Sequence, residues 1–165
     1  MVRRLTFMLC LGAVLLGQIS CERARDPSAG FIKPENELER ALVRSALGEA
    51  PPGQKTFDVL VRSRVYVRVP REVLTNDGKI IDPTKFTYAT VMVKGSEAMA
   101  LYTSEKRLTE RFGSVSYVYL PGDAALEFAR GKAVVVNEGL APSVFASGKE
   151  VEMMLRRWKA KRPYS

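Results

Sequence analysis

The chain has 165 residues, 46% of them apolar and 27% charged, with a formal net charge of +8; that is enough apolar material for the core of about one domain. It contains no histidine, which removes Ser-His and Cys-His nucleophile pairs and His-ligated zinc, and only two cysteines, Cys10 and Cys21; Cys10 lies inside the apolar N-terminal run, so no internal disulfide and no cysteine-rich metal site is expected in the folded part. No GxxxxGK[ST] loop and no strand-linked GxGxxG occurs, and Asn76-Asp77-Gly78 fails as a calcium loop because Val73 and Thr84 fall where carboxylates are needed.

Residues 1–20 read as a signal peptide. Arg3 and Arg4 precede an apolar run over residues 5–17, too short for a bilayer that needs ~20 residues and suited to a signal h-region. Gln18-Ile19-Ser20-Cys21 resembles the bacterial lipoprotein motif of a leucine, two small residues and a modified cysteine, with Gln18 in the leucine's place. Cys21 is therefore the expected lipid attachment site, a plain secretory signal being the alternative. A chain starting at Cys21 keeps 24 basic and 18 acidic side chains, or +6, a balance that favours anionic surfaces. Residues 21–30, polar with Pro27 and Gly30, read as a flexible tether with a reach of ~30 Å.

The folded domain is expected over residues 31–165. A first helix is predicted over residues 31–48, with Asn36 and Glu39 in a capping-box pattern, Leu38, Ala41 and Leu42 inward, and Gly48 as its stop. Phe57, Leu60 and Val61 form a second helical face. Val65, Val67 and Val69 alternate with Tyr66 and Arg68 as a strand with one buried side, ended by Pro70. Asn76-Asp77-Gly78 signals a turn that pairs Ile80 and Ile81 with a neighbour. Residues 89–113 organise the rest. Val91 and Val93 alternate with Met92 and Lys94, a turn follows at Lys94-Gly95-Ser96-Glu97, and residues 98–102 form a buried strand. Thr103 or Ser104 caps a helix that presents Leu108 and Phe112 and ends at Gly113. Residues 116–120 read as a strand whose Tyr117 and Tyr119 pack under a helix. Pro121-Gly122-Asp123 supplies a turn and N-cap for a short helix with Ala125, Phe128 and Ala129 inward. Residues 133–136 form a β-branched run covered on both faces, Asn137-Glu138-Gly139 opens a loop, and residues 143–146 close the sheet. Ser147 and Glu150 form a capping box for a last helix whose Val151, Met154, Leu155 and Trp158 share one stripe. The predicted class is α+β: a single domain with a mixed β-sheet of about five or six strands and helices mainly on one face.

Residues 36–158 resemble the N-terminal domain of the SseB (enhanced serine sensitivity) family. Asn36-Glu37-Leu38-Glu39-Arg40-Ala41-Leu42 looks like the family's opening N-x-L-E-x-A-L helix, and residues 57–69 look like its helix leading into a "lyVrv" strand. Tyr102-Thr103-Ser104-Glu105-Lys106-Arg107-Leu108 is similar to F-T-S-E-x-R-L, and Val136-Asn137-Glu138-Gly139 resembles the N-P-G turn with Glu138 in place of proline. The resemblance implies an α+β fold and brings no catalytic residues with it.

The expected function is a non-catalytic protein-interaction module anchored in the bacterial cell envelope through Cys21, on the periplasmic side if the cell is Gram-negative. The runner-up is a small enzyme using Asp, Glu, Lys or Tyr. The partner is an unknown protein, with a membrane met through the lipid. No cofactor, metal or nucleic acid is expected, the basic residues reading as dispersed. If the strands ending at Tyr102 and Val136 run parallel and adjacent, their loops emerge on one edge. Tyr102, Thr103, Ser104, Asn137, Glu138, Gly139 and Leu140 are then the candidate binding residues.

Overall fold

The computed structural model describes residues 30–49, 54–82 and 86–161. Cys21, the signal segment and most of the tether lie outside them.

Among the described residues five α-helices and six strands alternate in an α+β order. Helix α1 (Glu37–Ala46) starts at Asn36, whose side chain accepts from the Glu39 N–H. Residues 31–35 are not helical, so the helix is shorter at its start than its sequence pattern suggests. The Asn36 cap sets that boundary, because the N-cap residue itself leaves helical geometry. Helix α2 (Gln54–Leu60) and strand β1 (Arg64–Arg68) follow. The valine alternation holds: Val65, Val67 and Val69 are buried. After one 3-10 turn (Arg71–Val73), Leu74 and Ile80 pair across the Asn76-Asp77-Gly78 turn.

Strands β2 (Thr90–Val93) and β3 (Ser96–Leu101) form the central hairpin. Lys94 and Gly95 both have positive φ (51° and 76°), the pair of left-handed residues that a tight two-residue hairpin turn requires. The turn is thus two residues long, and β3 begins earlier than residue 98. Helix α3 (Glu105–Phe112) is capped by Ser104, and Gly113 ends it at φ 71°. Strand β4 (Tyr117–Pro121) leads directly into α4 (Gly122–Phe128). Pro121, not Asp123, holds the N-cap position, while the Asp123 carboxylate accepts from the adjacent Ala124 N–H. The inward residues of α4 are Ala125, Leu126 and Ala129; Phe128 is exposed and stacks against Phe86 at 4.7 Å. Strands β5 (Ala133–Val136) and β6 (Val144–Ala146) precede α5 (Gly148–Lys161). Ser147 and Glu150 cap α5 reciprocally, as their spacing predicts.

The six strands are divided rather than continuous. Four form a mixed sheet in the order β2-β3-β5-β6, with β3 and β5 parallel. The other two, β1 and β4, form an antiparallel ribbon. The ribbon joins the sheet through one bridge, where Tyr66 and Tyr102 exchange backbone bonds of 2.8 and 2.9 Å. Strand β3 shares one edge between two partners, β2 along most of its length and β1 at its end, which splits the sheet.

Helices α1, α2, α4 and α5 cover one face. There Leu38, Leu42, Phe57, Leu126, Val151 and Leu155 pack on Met99, Leu101, Val134 and Val136. Helix α3 covers part of the other face, Leu108 and Phe112 lying near Ala100, Tyr102 and Val135. All four residues of β5 are buried, as a β-branched run flanked on both sides demands. Burying such a side chain is worth roughly 1.5–3 kcal/mol each, so this strand anchors both layers. Trp158 is only half-buried, with the Arg62 guanidinium 5.5 Å above its ring.

Candidate functional site

The parallel pairing of β3 and β5 puts their C-terminal ends side by side, in the register Leu101 opposite Val136. The Asn137 N–H extends the ladder by one bond, donating to Leu101 O at 2.8 Å. The loops after Tyr102 and after Val136 therefore meet on one edge, and all seven residues nominated from the sequence are brought together there.

Their roles divide sharply. Tyr102, Thr103 and Asn137 are buried. The Tyr102 hydroxyl donates to Glu138 O at 3.2 Å, and its ring meets Phe112 edge-on at 5.7 Å. Burial, and behind it the Glu138 carboxylate, push the Tyr102 hydroxyl well above its ordinary range. Asn137 sits at φ 56°, a left-handed conformation that asparagine tolerates better than most residues. From there its side-chain oxygen accepts from the Thr103 N–H at 3.1 Å. Ser104 caps α3. Glu138 is half-buried, Gly139 is exposed at φ 75° and Leu140 is half-buried; these three form the outward lip of the edge.

A buried ion pair closes the base of this edge, and neither member was nominated as a site residue. Glu39 on α1 and Arg107 on α3 lie 68 positions apart, with Nε to Oε1 at 3.1 Å and Nη2 to Oε2 at 3.3 Å. Their side chains are 0% and 5% exposed. Glu39 also accepts from the Glu35 N–H at 2.7 Å and from the Thr103 hydroxyl at 2.8 Å. Arg107 donates further to both Glu110 oxygens and to Lys33 O at 2.6 Å. Asn36 adds a second tie, its amide donating to Thr103 O at 3.1 Å while its oxygen caps α1. One polar cluster thus fastens the N-termini of α1 and α3 to the β5–β6 loop.

Burial pushes the Glu39 carboxyl up, but the Arg107 guanidinium, the Glu35 N–H and the Thr103 hydroxyl outweigh it and hold the carboxyl below its ordinary value of 4.5. Glu39 is therefore a locked carboxylate whose oxygens are all engaged, poorly placed to exchange protons with a substrate. The Asn137 side-chain N–H₂ is buried without a hydrogen-bond partner. At the rim, Arg111 donates to Glu138 at 2.9 and 3.3 Å, and Lys106 pairs with Glu35. Ile32 N–H donates to Ala141 O at 2.6 Å, tying the start of the domain to the lip.

Among the described residues no group of three or more acidic or cysteine side chains could hold a metal ion, and no helix is long and apolar enough to cross a membrane. A groove of about 440 Å³ lies elsewhere, between α1, α2 and α5 over β5 and β6. Leu42, Phe57, Val134, Val144 and Met153 are among its lining residues, and none of the nominated residues reaches it.

Sequence reasoning assigned Glu39 to a capping box and gave Arg107 no role. The available signal was positional: both residues sit inside the segments quoted for the family resemblance. Capping explained Glu39 locally, and nothing local shows that α1 and α3 begin side by side.

The fold and this edge define a small α+β domain whose parallel strand pair ends in a buried Glu–Arg clamp. The family model for the SseB protein N-terminal domain matches residues 38–153, and the chain belongs to that family. No curated protein matches it significantly.

Proposed function

We propose that this protein is a non-catalytic interaction module held at the bacterial cell envelope by a lipid on Cys21. The observation that carries the reading is the division of labour at the edge. Tyr102, Thr103 and Asn137 are consumed inside, while Glu138, Gly139 and Leu140 stand outward on a base fastened by Glu39 and Arg107. A lip fixed in this way loses little conformational freedom when a partner docks, which favours binding over chemistry. The locked state of Glu39 at the base of the edge supports the same reading. The anchor rests on the sequence alone: a positive n-region, a short apolar run and the Ser20-Cys21 junction.

Two measurements test it. Mass spectrometry of the native protein should find residues 1–20 removed and acyl mass on Cys21; an unacylated, fully soluble protein removes the anchor. Crosslinked purification from the envelope should recover a partner that Glu138→Lys with Leu140→Ser abolishes at an unchanged melting temperature. Partners retained in full by that variant remove the lip.

A further inference from the structure

The ribbon of β1 and β4 carries a second surface, and there the basic residues are not dispersed. Arg64, Tyr66 and Arg68 alternate along one face of β1, and Tyr117 and Tyr119 stand beside them on β4. The Tyr66 ring lies 5.8 Å from Tyr117 and 6.4 Å from Tyr119. Tyr117 packs beside α3, near Leu108 and Phe112, whereas Tyr119 does not pack under a helix and is 57% exposed. Among the described residues, the Arg64 and Arg68 guanidiniums rest on rings rather than carboxylates, 4.3 Å above Tyr119 and 4.4 Å above Phe112.

The same ribbon has an open side. Val69 N–H donates to Ser116 O and Gly122 N–H to Ser63 O, which fixes the alternation of the ladder. Val118 and Leu120 turn their backbone groups toward β1, and Tyr117 and Tyr119 turn theirs outward. On β1, Tyr66 bonds Tyr102 on the outward side and the Arg68 carbonyl accepts from the Ala89 N–H. On β4 the outward positions face an edge with no further strand among the described residues.

We propose that this edge and the arginine–tyrosine face beside it receive an extended acidic segment of a partner protein, added to β4 as a strand. Backbone donors and acceptors at the edge match a peptide and neither a nucleic acid nor a lipid surface. Arg64 and Arg68 are four positions apart, roughly 13 Å at ~3.3 Å per residue. Carboxylates at i and i+4 of an extended segment have that spacing, and the tyrosine rings between them offer apolar contact. Glu105, whose carboxylate lies against the Tyr117 hydroxyl, opposes a continuous polyanion along the whole face and leaves room for two discrete carboxylates. The inference rests on the reading of the chain as a protein-interaction module but uses none of its lip residues.

The test uses the native processed protein and a labelled octapeptide of threonine with glutamate at its second and sixth positions. Controls are its glutamine counterpart, a version N-methylated at alternate amides, single-stranded oligothymidylate and phosphatidylglycerol vesicles. The glutamate peptide should bind at least about tenfold more tightly than either peptide control and shift the Tyr117 and Tyr119 amide resonances. Arg64→Glu with Arg68→Glu should abolish that binding at an unchanged melt, and the lip variant should keep it. Equal or absent binding of the three peptides, or saturation only by oligothymidylate or vesicles, overturns the inference. If the lip variant loses its partners while no peptide binds, this inference falls and the module reading stands.

Discussion

Arg107 and Arg64 put the same side chain in opposite settings. Arg107 is buried with its donors shared among Glu39, Glu110 and the Lys33 carbonyl, whereas Arg64 lies exposed over Tyr119. The first holds two helix starts and a loop in place and has nothing left to offer a ligand. The second holds nothing in place and is free to meet one. The comparison teaches that a basic residue's use follows from who already occupies its donors, a property of the fold and not of local sequence.

The contrast can be broken most forcefully at the clamp. Arg107→Ala leaves the Glu39 carboxylate buried without its cation, a change that typically costs about 3–5 kcal/mol; a denaturant titration should show a loss of that order. Replacing both Glu39 and Arg107 with methionine should recover much of it, since no unpaired charge is left inside. A smaller effect is expected at the junction of β4 and α4. A Cβ on Gly122 would come within 1.9 Å of the Leu60 carbonyl oxygen, so Gly122→Ala forces α2 and α4 apart at roughly 1–3 kcal/mol. At the exposed pole, Arg64→Ala and Arg68→Ala should each change stability by no more than about 0.5 kcal/mol.

Protonation separates the two regions as well. The Glu39 carboxyl is lowered in the fold, so its contribution is fully present above its unfolded value and is lost as pH falls through the folded one. Acid should weaken the protein below about pH 4.5. In Arg107→Met the pull of the guanidinium is gone and burial dominates, so the folded carboxyl is raised instead of lowered and the acid loss should disappear or reverse. The smallest effect is on the ribbon. The Glu105 carboxylate, with a lesser contribution from burial, pushes the Tyr117 hydroxyl up to about 12. Its folded value lies above its unfolded one, so the associated stability is present below the ordinary tyrosine value and lost as pH rises through the folded value. In Glu105→Gln, spectrophotometric titration should find Tyr117 returned toward about 10.

Much of this fold was legible because its signals are local. The valine alternation gave β1, the unbroken β-branched run gave the buried strand β5, and Ser147 with Glu150 gave the start of α5. The meeting of the two loops was legible as a condition, that β3 and β5 be parallel and adjacent, which they are. The rest depended on facts that no window of sequence contains. The sheet divides because β3 offers one edge to both β2 and β1. Phe128 turns outward onto Phe86, and Leu126 takes its place in the core. Trp158 ends its stripe near the helix terminus, where only one side is covered, so Trp158→Ala should cost less than the ~3–5 kcal/mol of a fully buried ring. Glu39 and Arg107 were in view throughout, but their partnership spans 68 positions.

A double-mutant cycle at Glu39 and Arg107 tests the account most directly. Glu39→Gln, Arg107→Met and the double variant are compared with the parent by denaturant unfolding, each with its pH profile. If the pair is the fastening of this edge, the two losses should be strongly non-additive, with a coupling near the upper end of the ~0.5–3 kcal/mol seen for contacting residues. The acid shoulder should also disappear with either partner's charge. Additive losses, with the parent's pH profile surviving Glu39→Gln, would contradict it.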